Sequence, residues 1–278
     1  MIQIFFRVFV LVIAMATDAY ADGIDFSGDF GAGSGYADNL NNARTDSLKE
    51  GSGFSSVWVT AGIKGDSSIG GRYFLNGSYD RTSYESFSDL TVNGLTVEGG
   101  LLYPVTDRVV VRISPAAGIR LYGDSDRDAR VYSVLLSVRD QVFERLSVRA
   151  EYKYANNDAD FSVYSYESHR LSTGVEAAIF SGGYLSLGYS AEFSRKNFYT
   201  LATAPVTGNM HGRRASTLFG PGQVVYLSDT VAHSLFMGLD QELYKKIYLQ
   251  LGYLFSFVQS DPGDYREQYF SWGIGYRY

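Results

Sequence analysis

The side chains able to do acid–base or nucleophilic chemistry are few: three histidines, His169, His211 and His233, and no cysteine. A hydrolytic centre would need a hydroxyl nucleophile beside one of these bases and a polar group to orient it. On a strand, side chains two apart share a face. His169 is followed two positions on by Leu171 and His233 by Leu235, while Ser172 and Ser234 fall on the opposite faces. No His/Asp/Glu spacing describes a metal site, and no glycine loop leads from a strand into a helix to cradle a phosphate. The lack of cysteine removes thiolate catalysis and disulfides. A net charge of −6 argues against nucleic acid as a partner. The reading is a chain with neither enzymatic function nor cofactor.

What remains is charge placed at regular intervals. Arg72, Arg112, Arg120, Arg139, Arg149, Lys153 and Arg170 alternate with apolar residues and stand in rows of Gly and Ser, as do Glu98, Glu151, Glu176, Glu192 and Asp240. Asp25, Asp29 and Glu242 follow the same parity. The cations gather mainly on the fifth to eighth predicted strands, and Asp25, Asp29, Glu176, Glu192, Asp240 and Glu242 on the first and the eighth to tenth. Two chemistries follow: opposed walls that orient charged or dipolar solutes, or cross-strand bracing. Arg72, Glu98 and Arg112 could form one brace; Arg149 and Glu151 could neutralise Glu176.

The elements that would carry these charges all show a period of two. Ile247, Leu249, Leu251, Tyr253, Phe255 and Phe257 share one face, with Gln250, Gly252 and Ser256 on the other. Val109, Val111 and Ile113 oppose Arg112 and Ser114 in the same way, and so through the chain. Trp58 breaks the alternation of its segment. The segment ending at Tyr103 changes phase near Asn93-Gly94, where a bulge would fit. Short connections (near 65–67, 104–107, 140–144, 181–183 and 244–246) interleave with longer ones (near 37–53, 80–88, 122–130, 155–167, 196–229 and 259–265). About twelve strands result, with both ends on the short-turn side.

Segments of roughly 10 to 16 residues exceed the usual strands of globular sheets but suit a tilted crossing of a bilayer. Tyr36, Tyr79, Tyr103, Tyr122, Tyr154, Tyr184, Tyr244 and Tyr278 fall near strand ends, where interfacial girdles sit. Only 5 prolines against 30 glycines and 23 tyrosines agree with a chain of long strands. The N-terminus, "MIQIFFRVFVLVIAMATDAYADG", has one early cation, a short apolar run and Ala19-Tyr-Ala21, the pattern of a secretory signal peptide cut after Ala21. Residues 1–21 are thus expected to be a leader and 22–278 a single domain. The predicted fold is an all-β, transmembrane, antiparallel up-and-down barrel with apolar rows facing lipid and both termini periplasmic.

The chain closes on "YFSWGIGYRY", in which Phe270, Trp272, Ile274, Tyr276 and Tyr278 alternate with small or polar residues. This stretch resembles the C-terminal strand of bacterial outer-membrane β-barrel proteins, although the usual terminal residue there is Phe. The resemblance implies an outer-membrane location, outer-membrane lipid as surroundings, and recognition of that strand by the barrel-assembly machinery. In arrangement the chain also looks like small twelve-stranded channels with Arg-lined pores. The expected function is a porin-like channel for small hydrophilic, possibly anionic, solutes. The alternatives are a non-conducting structural, adhesion or polymer-export barrel, or a lipid-modifying enzyme. The long connection 196–229, with Pro205, His211, Arg213, Arg214 and Gly220-Pro-Gly222, is expected either to constrict the lumen or to stand outside as a binding surface.

Overall fold

The computed structural model describes residues 24–67, 70–201, 210–261 and 263–278. The expected leader and Pro205 lie outside the described residues, as do the side chains of His211 and Arg213. The strands are β1 (Ile24–Ala37), β2 (Ser52–Asp66), β3 (Arg72–Tyr84), β4 (Val92–Pro104), β5 (Val109–Tyr122), β6 (Ala129–Phe143), β7 (Leu146–Ala159), β8 (Tyr166–Phe180), β9 (Gly183–Leu201), β10 (Met210–Ser216), β11 (Gln223–Tyr244), β12 (Ile247–Ser260) and β13 (Tyr265–Arg277). All neighbours are antiparallel. Twelve of them close into a barrel, because β9 pairs directly with β11 and leaves β10 attached only to the start of β11.

β1 and β13 close the barrel from Asp29↔Arg277 to Ala37↔Tyr269. The seam is completed by the last residue, where Tyr278 N–H donates to Gly28 O at 2.7 Å. Closure leaves none of the twelve barrel strands with an open edge of unmet N–H and C=O groups, which hydrocarbon could not satisfy. The outer face carries the apolar rows: Leu136 is 45% exposed, Leu171 54% and Ile274 47%.

A row of tyrosine hydroxyls marks the upper limit of this apolar belt. On the outer face Tyr79 donates to Asn93 (3.1 Å) and Tyr253 to Gln268 (3.0 Å), while Tyr152 meets His169 (2.8 Å) and Tyr189 meets His233 (2.6 Å). An amphipathic ring with its polar tip bonded upward is suited to a lipid–water boundary. Above this row the outer face turns charged, as at the Arg195–Asp229 pair. Both outward histidines therefore bond tyrosines, and among the described residues no serine hydrogen bonds either of them.

At the short-turn end two of the two-residue turns, between β8 and β9 and between β11 and β12, use left-handed backbone. Gly182 (φ 69) and Lys246 (φ 75) supply it, and each turn has a register shift beside it, at Ala178/Phe180 and Glu242/Tyr244. The bulge expected near Asn93-Gly94 does not form: β3 and β4 pair without interruption from Arg72↔Leu102 to Thr82↔Val92. The apparent phase change has another cause. Leu90 is buried in a 3-10 turn outside the strand, and Val92 faces inward under the mouth loops.

If the apolar rows face hydrocarbon, Leu136→Arg near the middle of β6 should destabilise the barrel by about 2–4 kcal/mol. Urea unfolding in lipid vesicles measures this. An unchanged midpoint would place Leu136 away from lipid.

Candidate functional site: a charged lumen beneath a lid

Strand register turns the charged rows inward. Arg72 lies on the inner face of β3, Glu98 of β4, Arg112 and Arg120 of β5, and Arg139 of β6. Arg149, Glu151 and Lys153 follow on β7, Arg170 and Glu176 on β8, Glu192 on β9 and Asp240 on β11. Ion pairs join Arg112 to Glu98 (2.5 Å), Arg139 to Glu176 (2.8 Å) and Arg149 to Glu151 (3.3 Å), and Arg170 Nε donates to Glu192 at 2.6 Å. The two braces suggested by the sequence are rearranged. Arg72 turns to Asp66 (3.2 Å) and not to Glu98, while Glu176 is neutralised by Arg139 from β6. Pairs this accessible contribute about 0–1 kcal/mol each, so they shape the field of the lumen more than they brace it.

On the opposite wall one cation serves two acids. Arg277 reaches Asp29 at 3.4 Å and Asp240 at 3.3 Å, and Gln250 donates to Asp240 at 3.2 Å. Trp58 Nε1 and the Tyr248 hydroxyl each donate to Asp29 at 2.7 Å. This explains the break in alternation at Trp58: its indole faces the lumen because Asp29 is there to accept its N–H.

The inner rows of glycine are not empty wall. A Cβ at Gly31 would fall 2.2 Å from a Trp58 ring atom, and one at Gly188 would fall 2.1 Å from the Phe236 ring. Phe74, 9% exposed, lies under the Arg112 guanidinium at 4.6 Å. Inward aromatics thus lie flat on glycines of adjacent strands. The rows of Gly and Ser read from the sequence do not show this filling, because the aromatics and their glycines sit on different strands.

The 196–229 connection is mostly strand. β9 runs to Leu201 and β11 starts at Gln223, so the two continue as a ribbon beyond the rest of the barrel, with β10 along the free side of β11. This ribbon crosses the long-loop mouth and there meets four of the other connections and the first residue of β13. Asn42 donates to Asn197 O (2.5 Å) from the β1–β2 loop, and Phe87 meets Phe219 edge-on at 4.8 Å from the β3–β4 loop on the far side. From the β5–β6 loop, Arg127 donates to the Tyr199 hydroxyl (2.6 Å) and Asp126 pairs with Arg214. From the β7–β8 loop, Val163 O accepts from Asn197 (2.8 Å), and Tyr265, at the start of β13, packs edge-on against Phe198 at 5.5 Å.

Two cores hold this lid. Phe198, Tyr226, Ala232, Val258 and Tyr265 form the one continuous with the inner face, and Val163, Tyr164, Val225 and Leu227 form the other. Val225 and Val258 are fully shielded, and each such side chain contributes on the order of 2 kcal/mol. The segment is expected from its sequence to constrict the lumen or to stand outside as a binding surface; its geometry is that of a cover packed across the mouth.

Burial within the second core pushes the Tyr164 phenol up to about 12, with Tyr199 acting in the same direction and Arg127 against it. A folded value above the ordinary 10 means that the packing is complete below pH 10 and is lost as pH rises through about 12. The lid is therefore expected to loosen between pH 10 and 12, read as a conductance step in a planar bilayer. Tyr164→Phe should abolish that step; its persistence would clear Tyr164 of the role.

A closed twelve-stranded antiparallel barrel, apolar outside and charged within, defines a transmembrane β-barrel of the outer-membrane kind. Neither a protein-family model nor a curated protein matches the chain. Among solved structures it is similar to an outer-membrane channel from Pseudomonas putida F1, with 10% identity, TM-score 0.55, and coverage of 94% of this chain and 97% of that one. An anion-selective porin from Comamonas acidovorans (9% identity, TM-score 0.45, covering 92% and 99%) and the KdgM porin (11%, 0.45, covering 89% and 98%) also match. The likeness to the Pseudomonas channel shows the fold: the chain is built as the closed β-barrels of outer-membrane proteins are.

Proposed function

We propose that this protein is a porin-like channel of the bacterial outer membrane, admitting small hydrophilic, chiefly anionic, solutes. The observation that carries the reading is the charged, water-accessible inner wall enclosed by an apolar exterior. Arg112, Arg120, Arg139, Arg149, Lys153 and Arg170 lie on β5–β8, facing a wall where Arg277 is shared by Asp29 and Asp240. Such a transverse field orients dipolar solutes and favours one sign of ion. In this reading the leader ends at Ala21, both termini are periplasmic, and the lid covers the external mouth. The alternating Phe270, Trp272, Ile274, Tyr276 and Tyr278 would be the strand presented to the barrel-assembly machinery, and outer-membrane lipid would surround the outer rows.

The test is single-channel current in a planar bilayer with a salt gradient. Discrete conductance steps with an anion-favouring reversal potential are expected. A folded barrel that never conducts would overturn the reading. The covered mouth favours a second reading, a non-conducting structural, adhesion or polymer-export barrel, which that silent outcome would support. The two outward histidines are engaged with tyrosine hydroxyls. Lipid hydrolysis through them would require activity lost in His169→Ala or His233→Ala.

A further inference from the structure

The four ion pairs on the wall from β4 to β9 consume its carboxylates: Glu98, Glu151, Glu176 and Glu192 each have their own arginine. Two inward cations of that wall are left over. Lys153 has no hydrogen-bond or ion-pair partner among the described residues, and its electrostatic neighbours are Arg170, Arg120, Glu98 and Glu192. Arg120 hydrogen bonds the Tyr122 hydroxyl and faces the Tyr166 phenol; Asp80 is within electrostatic range but does not form an ion pair with it. Both side chains are exposed to the lumen. Arg120 stands just below the β5–β6 loop whose Asp126 and Arg127 hold the lid.

Two like charges kept together in an enclosed space repel unless a counter-charge joins them. Among the described residues the carboxylates of that wall are held by arginines, and Asp80 of β3, the one further carboxylate near Arg120, closes on neither cation. A guanidinium offers a planar fork to a carboxylate or phosphate, and an ammonium adds a movable point charge. We propose that Arg120 and Lys153 form a binding site inside the barrel, beneath the lid, for the carboxylate or phosphate group of a small organic anion. The inference deepens the channel reading by assigning the place where a permeating anion pauses. The Tyr122 and Tyr166 phenols stand beside it as further donors.

Isothermal titration of the detergent-folded full chain at low salt, with inorganic phosphate and with glutarate as probes, tests the site. Saturable binding is expected, weakened about tenfold or more by Arg120→Gln and by Lys153→Gln, since each removes a charge-assisted contact. Arg81→Gln, an exposed outer-face arginine of β3, removes the same formal charge and should leave affinity unchanged. Heat-modifiable electrophoretic mobility verifies that each variant is folded. Binding of only one probe keeps the site and names its head group. Equal affinity in wild type and both variants, or no saturable binding of either probe, overturns it. Because the readout is binding, a barrel that binds without conducting preserves the site and sinks the channel; one that conducts without binding does the reverse.

Discussion

Replacing residues 197–227 with an Asn-Gly turn should raise single-channel conductance about tenfold while the barrel stays folded. The register dictates the cut. Lys196 pairs with Ser228, so a two-residue turn of the I′ type can join them without shifting any pair below. The deletion removes Phe198, Tyr199, Phe219, Val225, Tyr226 and Leu227, and with them the described lid contacts of the four loops and of Tyr265. It leaves the remaining pairs between β9 and β11, from Ser194↔Thr230 to Gly183↔Gln241, intact. A smaller version, Arg214→Ala, breaks the pair with Asp126 and the stacking on Phe161 at 4.0 Å. It should give brief openings in place of a steady one. If the shortened barrel is folded and its conductance equals that of wild type, the ribbon does not obstruct passage.

The barrel was legible in the sequence because its determinant is local: a strand shows its two faces in its own alternation. The inward parity of Arg112, Glu98 and Lys153 could be read that way, and so could the order of short and long connections. Partners across strands could not. Arg72 chooses Asp66 and Arg139 reaches Glu176 because of pairing register, which no single segment contains. Trp58 looked misplaced for the same reason, since the acceptor that turns it inward, Asp29, lies on the neighbouring strand. The lid was hidden by composition. Its polar, Gly- and Pro-bearing sequence resembles a loop, yet Val224, Tyr226 and Ser228 continue the inward parity of β11. That register runs unshifted from Gln223 to Gln241, but the run Val224-Val-Tyr-Leu227 is apolar on both faces and so shows no alternation to read.

Gly275→Val is expected to destabilise the barrel by about 3–5 kcal/mol, and Tyr248→Ala should abolish most of that cost. A Cβ at Gly275 would fall 2.4 Å from both Cζ and Oη of Tyr248, and its three nearest atoms all belong to that one side chain. Tyr248 is 2% exposed, so it has nowhere to go without leaving Asp29, which accepts its hydroxyl at 2.7 Å. Overpacking costs about 1–3 kcal/mol, and losing a hydrogen bond to a charged group adds about 1.5–3 kcal/mol. With alanine at 248 the valine meets no ring, and its cost should fall below about 1 kcal/mol, a coupling far outside additivity. Gly77 is the control, because a Cβ there meets nothing within 4 Å on the outer face, and Gly77→Val should be neutral. Urea unfolding in lipid vesicles reads the wild type and the four variants without the assembly machinery. Equal costs of Gly275→Val in the two backgrounds would mean that the ring does not rest on the glycine. The lumen wall would then lack the aromatic filling that narrows it.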